Sequence, residues 1–216
     1  MRQPRARAEG SALSRLSRYR MAGSPDNAHP NSAANAPLQE IARQVAQHIR
    51  QIRPQVVITS DPSGGYGHPD HIAVNRATVE ALRLSGDPLV EIDGLPPYSP
   101  QRLYYHTFPR RWLRWAVRLL PWFGADPRHF GKNRDIDLVA SAQEDWPAHA
   151  AISIRSVLDV KQEAGRCHAS QGSGMPRGLL GWMFRLMGAN EQFVRAVPPE
   201  PPPRMERDLF EGVPED

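Results

Sequence analysis

The chain has a single cysteine, Cys167, among its 216 residues, so no internal disulfide framework is available. A reducing, cytoplasmic setting is the expectation that follows. There is no run of 18 or more apolar residues, which excludes a transmembrane helix of ordinary length. The N-terminal MRQPRARAEG is basic but has no apolar stretch behind it, unlike a secretory signal. Lysine is nearly absent: Lys132 and Lys161 are the only two, so the formal charge of +4 is carried by arginine. The arginines are scattered rather than gathered in a stripe, and no zinc-finger, RRM or GxxG signature accompanies them. Nucleic-acid binding is therefore disfavoured against a simple compositional bias.

Proline, by contrast, is plentiful at 22 residues, and several cluster in segments that read as loops. Residues 21–37 are turn-rich and lack apolar periodicity. Leu38, Ile41, Val45 and Ile49 then recur at helical spacing and predict an amphipathic helix ending near Arg53-Pro54. Val56-Val-Ile-Thr-Ser60 is a β-branched run expected to form a buried strand of a parallel sheet. A glycine-rich loop follows, and a second helix is expected from Pro69, since proline suits the first helical position. Helix, strand, loop and helix in series indicate an α/β fold.

Further strands are expected at Leu103–Phe108 and Ile136–Ala140, and a helix over about Trp146–His168. Arg110 to Trp122 mixes Trp, Leu and Val with four arginines; a helix lying on a membrane fits that pattern, and the commoner outcome is a helix or lid packed on its own domain. A short apolar segment at Leu179–Met187 comes next. The organisation expected is one domain over residues 1–196 and a proline-rich tail over 197–216 that wraps the surface.

The chemistry concentrates in Gly67-His-Pro-Asp-His71, placed after the carboxyl end of a strand and at the opening of a helix. That edge is where open α/β sheets bind ligands. His68 falls near the helix N-cap and His71 three residues on, so the two imidazoles and the Asp70 carboxylate converge. Either histidine is a suitable zinc ligand, and the other can donate a proton or stabilise an oxyanion. Asp70 can orient a ring, and the Tyr66 phenol can support an oxyanion. Gly64, Gly65 and Gly67 permit unusual loop conformations and close approach of substrate to the backbone.

Asp61-Pro-Ser-Gly-Gly-Tyr-Gly-His-Pro-Asp-His71 resembles the second motif of the PIG-L/LmbE-like zinc-dependent N-deacetylases, a family that includes N-acetylglucosaminyl-phosphatidylinositol de-N-acetylases, mycothiol deacetylase and mycothiol-conjugate amidase. Tyr19-Arg20 with Met21–Asn27, the Lys161, Ala164, His168 and Ser170-Gln171 group, and Glu191–Phe210 are similar to other segments of that family. The resemblance implies a Rossmann-like, mostly parallel sheet between helices. It also implies zinc-assisted hydrolysis of an acetamide on an N-acetylated aminosugar or conjugate, in a bacterial enzyme. His71 would be a metal ligand, His68 the general acid or electrostatic catalyst oriented by Asp70, and Tyr66 an oxyanion support. Gly65 and Gln171 would face substrate.

The chain departs from the family in two places. The family's first motif, Ala-His-Pro-Asp-Asp-Glu, which carries two metal ligands and the general base, does not occur in these 216 residues. An Asp-Ser-Gly usually found between Tyr-Arg and Met is also missing at Tyr19-Arg20-Met21. The expectation is a domain truncated at its N-terminus relative to the family and impaired as a catalyst. The alternative is a non-catalytic remnant or binding module of the same fold.

Overall fold

The computed structural model describes residues 34–107, 110–130, 134, 136–143, 146–167 and 190–214. They include helices α1 (Leu38–Ile52), α2 (Pro69–Gly86), α3 (Arg110–Leu119), α4 (Leu138–Gln143) and α5 (Leu158–Arg166), and strands β1 (Val56–Ser60), β2 (Arg102–Thr107), β3 (Ala150–Ser153) and β4 (Asn190–Val197). The chain divides into two compact units, one of residues 34–55 with 59–100, the other of 56–58 with 101–214.

In the first unit α1 packs on α2. Small side chains make the approach close: Ala42 and Ala46 of α1 and Ala81 of α2 are fully buried, with Ile49, Leu84 and Ile92 around them. The helical stripe seen in the sequence is thus the core face, with Leu38 left 41% exposed at the helix start. α1 ends as Arg53 turns into the left-handed region at φ 53°, its amide donating to Ile49 O. Arg50 is buried, and its guanidinium donates to the carbonyls of Leu84, Ser85, Asp87 and Leu95. A helix leaves its last carbonyls without intrahelical partners, and a cation placed there satisfies them and the negative end of the helix dipole. One arginine thereby fixes the end of α2 and the loop beyond it.

The sheet has the strand order β1-β2-β4-β3. The α/β architecture is the expected one. The sheet departs from a mostly parallel arrangement, since β4 runs antiparallel to both neighbours, with Tyr104 opposite Arg195 and Ala150 opposite Phe193. Antiparallel strands are common additions to α/β sheets, and nothing in a strand's own composition states its partner's direction. Among the described strands β1 lies at an edge of the sheet, and Ile58 is 51% exposed rather than buried. The core of the second unit gathers Tyr104, Ala150 and Phe193, flanked by Val56, Ile152 and Leu209.

Two segments differ from the sequence expectation. Ile136–Ala140 is not a strand; Ile136 makes one isolated bridge with Phe130, and α4 starts at Leu138. The Asp137 carboxylate caps that start by accepting from the amides of Val139 and Ala140, a side-chain signal that overrides a short β-branched run. The expected long helix from Trp146 is divided: Ala150–Ser153 pairs with β4, and helix begins only at Leu158. Tertiary pairing decides there, because β3 extends a hydrophobic face that a helix could not. The expected apolar segment at Leu179–Met187 lies outside the described residues.

The C-terminal segment is tied into the second unit. Glu206 pairs with Ala150 in a parallel bridge, donating its amide to His149 O and accepting from Ala151 N. Its carboxylate, 4% exposed as a residue, accepts from Arg195 Nη1 at 2.7 Å and from the Tyr104 hydroxyl at 2.8 Å. Burial and the Glu206 carboxylate push the Tyr104 phenol well above its ordinary pKa.

Candidate functional site

The site grows from the carboxyl end of β1. The Asn75 amide of α2 donates to Ser60 O at 2.7 Å, fastening strand end to helix. Asp61 is fully buried, and its Oδ1 accepts from the Ser63 hydroxyl and from Gly65 N at 3.0 Å. A side-chain oxygen that takes the loop's own donors replaces the hydrogen bonds an irregular backbone would otherwise lack. The loop then passes through Gly64, Gly65 and Gly67 with φ of 72°, 74° and 86°. Residues Gly64–Gly67 make a single helical turn, distorted at Gly65 and Tyr66. At Gly64 a Cβ would lie 2.8 Å from Ile72 Cγ1, so both the backbone angle and the space require glycine.

α2 begins as the sequence predicts, with His68 as N-cap and Pro69 in the first turn. The His68 Nδ1 accepts from the Asp70 amide at 3.2 Å. A ring nitrogen accepting that bond carries no proton, which leaves Nε2 as the N–H of the ring. Orientation of His68 therefore comes from the backbone of Asp70. The Asp70 carboxylate accepts from Ala34 N at 3.3 Å, tying the segment before α1 to this turn.

One turn on, His71 stacks on His68 with ring centroids 4.8 Å apart and planes 25° from parallel. Tyr66 presents its ring edge-on to both, at 6.0 Å from His68 and 5.7 Å from His71. The His71 pKa is held below the ordinary histidine value, first by burial and then by the neighbouring His68, against opposing contributions from a hydrogen bond to the Gly64 backbone and from Asp70 and Asp61. A depressed pKa favours the neutral imidazole, whose free ring-nitrogen lone pair is the form that binds a metal ion.

The structure thus brings Gly65, Tyr66, His68, Asp70 and His71 into one loop and helix start, whereas Gln171 lies outside the described residues. Among the described residues no three His, Cys, Asp or Glu side chains converge as a metal-binding group. His71 fits as one ligand of a metal set, and the described residues do not complete that set. Sequence reasoning gave Asp61 and Asn75 no role of their own, although their hydrogen bonds to Ser63, Gly65 and Ser60 build the loop and tie it to α2. An aspartate directly after a strand and before Ser-Gly-Gly was the available signal for Asp61.

Fold and site define an α/β protein with an imidazole-bearing loop and helix start at a strand's carboxyl end. The family described as PIG-L, GlcNAc-PI de-N-acetylase, matches residues 2–82. Curated relatives named 1D-myo-inositol 2-acetamido-2-deoxy-alpha-D-glucopyranoside deacetylase match over much more of the chain. One from Thermobifida fusca is 34% identical over 89% of this chain and 68% of its own length. One from Rhodococcus erythropolis is 34% identical over 94% and 72%. Another, from Thermomonospora curvata, is 38% identical over 70% of this chain and 49% of its own length, so the chain spans from about half to somewhat over two thirds of these relatives. A solved structure of a conserved protein from Thermus thermophilus aligns with a TM-score of 0.49 at 22% identity, covering 77% of this chain and 61% of that one. The chain belongs to the PIG-L family of deacetylases, and its family is one of enzymes. Among the described residues no helix is long and apolar enough to cross a membrane.

Proposed function

We propose that this chain carries the loop-and-helix half of a zinc-dependent N-deacetylase site that hydrolyses the acetamide of an N-acetylated aminosugar or its conjugate. The observation that carries the proposal is the stacked pair His68 and His71, 4.8 Å apart on the first turn of α2 beside Tyr66. The names of the relatives, deacetylases of a 2-acetamido-glucopyranoside of myo-inositol, support an aminosugar substrate.

In this proposal each residue has one task. His71, neutral and partly desolvated, offers a ring nitrogen to the metal. Bound zinc supplies a Lewis acid and an activated water. His68, with Nδ1 occupied by the Asp70 amide, directs an Nε2–H toward the amide being cleaved, as oxyanion donor or as acid to the departing amine. Tyr66 provides a second donor to the oxyanion. Gly65, with no side chain and a positive φ, admits substrate to the backbone. Gln171 is proposed to face substrate. The partner is a small aminosugar conjugate rather than a nucleic acid, and the exposed, unbridged Cys167 supports a reducing, cytoplasmic setting.

A second reading, that of a non-catalytic remnant of the fold, is favoured by the incomplete ligand set among the described residues. Acetate release by the full chain from N-acetylglucosaminyl inositol, with zinc supplied and with zinc chelated, separates the two. Zinc-dependent release that disappears in His71→Ala supports the deacetylase. No release from any N-acetyl aminosugar, with zinc bound or not, leaves the remnant.

A further inference from the structure

Helix α3 and the short 3-10 turn that follows it, Leu120–Phe123, present two apolar stripes where a surface helix needs one. Leu113, Ala116, Val117 and Leu120 recur at helical spacing and are half-buried, and on this element Arg114 donates to Ala142 O of α4. That stripe is the packing face. The second stripe, Trp115, Arg118, Leu119, Trp122 and Phe123, has the same spacing and faces water. Trp115 is 63% exposed, Trp122 86% and Phe123 83%. Exposed apolar residues scattered singly need no explanation, but three aromatics and a leucine in one stripe do.

The stripe's charge is one-sided. Residues 110–123 contain four arginines and no acid. Arg118 places its guanidinium 5.7 Å from the Trp115 ring centroid, so cation and aromatic are interleaved. The nearest following acid, Asp126, is engaged by His129 at 2.7 Å. Pro121 turns the chain so that two large rings in succession, Trp122 and Phe123, project from its end. Tryptophan and phenylalanine projecting from a cationic helix match the headgroup boundary of an anionic bilayer. There the rings bury in the acyl margin, tryptophan keeps its N–H wet, and arginine meets phosphate.

We propose that this second stripe of α3 and its turn docks the protein on the surface of an anionic lipid bilayer, lying in the interface without crossing it. The surface belongs to the second unit, whereas His68 and His71 belong to the first. Its test is accordingly independent of deacetylation.

The full chain is to be sedimented with vesicles of phosphatidylcholine alone and of phosphatidylcholine with roughly 30 mol% phosphatidylglycerol. Binding is expected to the anionic vesicles, to weaken as salt rises, and to fall at least about tenfold in Trp122→Ser/Phe123→Ser. Both side chains are exposed, so the variant is expected to fold as judged by circular dichroism; Arg118→Glu serves as an independent variant with the same expected loss. Three outcomes overturn the proposal. One is absence of binding to anionic vesicles. Another is binding equal in wild type and both variants, or matched by soluble double-stranded DNA. The third is a concentration-dependent dimer, seen by light scattering, that the double variant abolishes while vesicles are ignored.

Discussion

His68 and His71 stack with ring centroids 4.8 Å apart, and His68 is seated by two backbone contacts: its Nδ1 accepts from the Asp70 amide, and its own amide donates to Gly64 O. His68 is therefore fixed from both sides, by the first turn of α2 and by the glycine loop. Several expectations depend on that arrangement.

His68 serves the helix as well as the proposed chemistry, and two substitutions separate the roles. His68→Ala removes the N-cap and is expected to cost about 1 kcal/mol of stability. His68→Asn keeps a capping oxygen and should recover most of that loss, while acetate release stays depressed in both. Urea melts beside the acetate assay check this. If His68→Asn restored turnover together with stability, the histidine would be a cap only.

The depressed pKa of His71 gives stability a pH dependence in the metal-free protein. The unfolded chain binds the proton at the ordinary histidine value and the folded chain only at lower pH. Stability is thus fully present above that ordinary value and is lost as pH falls through the folded-state value. Chemical melts of chelator-treated protein between neutral and mildly acidic pH should show the decline, and His71→Gln should flatten it. A slope unchanged in the variant would place the titration elsewhere.

Gly64 and Gly67 both have positive φ but differ in surroundings. A Cβ at Gly64 meets Ile72 Cγ1 at 2.8 Å, whereas a Cβ at Gly67 meets nothing within 4 Å. Gly64→Ala combines backbone strain with a clash and is expected to cost roughly 1–3 kcal/mol or more, Gly67→Ala only the strain, about 1 kcal/mol. Thermal midpoints that fall equally for both would contradict the close approach of the loop to α2 at Ile72.

The Arg195–Glu206 pair, with side chains 8% and 5% exposed, holds the C-terminal segment against β3 and β4. Glu206→Ala leaves a buried guanidinium and the Tyr104 hydroxyl without their partner and should cost roughly 3–5 kcal/mol. Glu206→Gln keeps one acceptor oxygen for Arg195 and can donate its amide to the Tyr104 hydroxyl oxygen, so it should cost less. Limited proteolysis after residue 198 reports on the same link: faster cutting is expected in Glu206→Ala.

The residues decided much of this protein by local rules. The Leu38–Ile49 stripe set α1, the β-branched run set β1, and His68-Pro69 placed the start of α2, because caps, proline and period act over a few residues. The candidate site was legible for the same reason, since Tyr66, His68, Asp70 and His71 are neighbours in sequence. What spans the chain was not legible. Strand direction in the sheet, the division of Trp146–His168 into strand and helix, and the burial of Glu206 against Tyr104 all depend on partners far away in sequence. The same holds for α3. Its composition offered a packed helix or a membrane-lying one, and only the fold shows which stripe is covered and leaves Trp115, Trp122 and Phe123 to water, because burial is a property of neighbours.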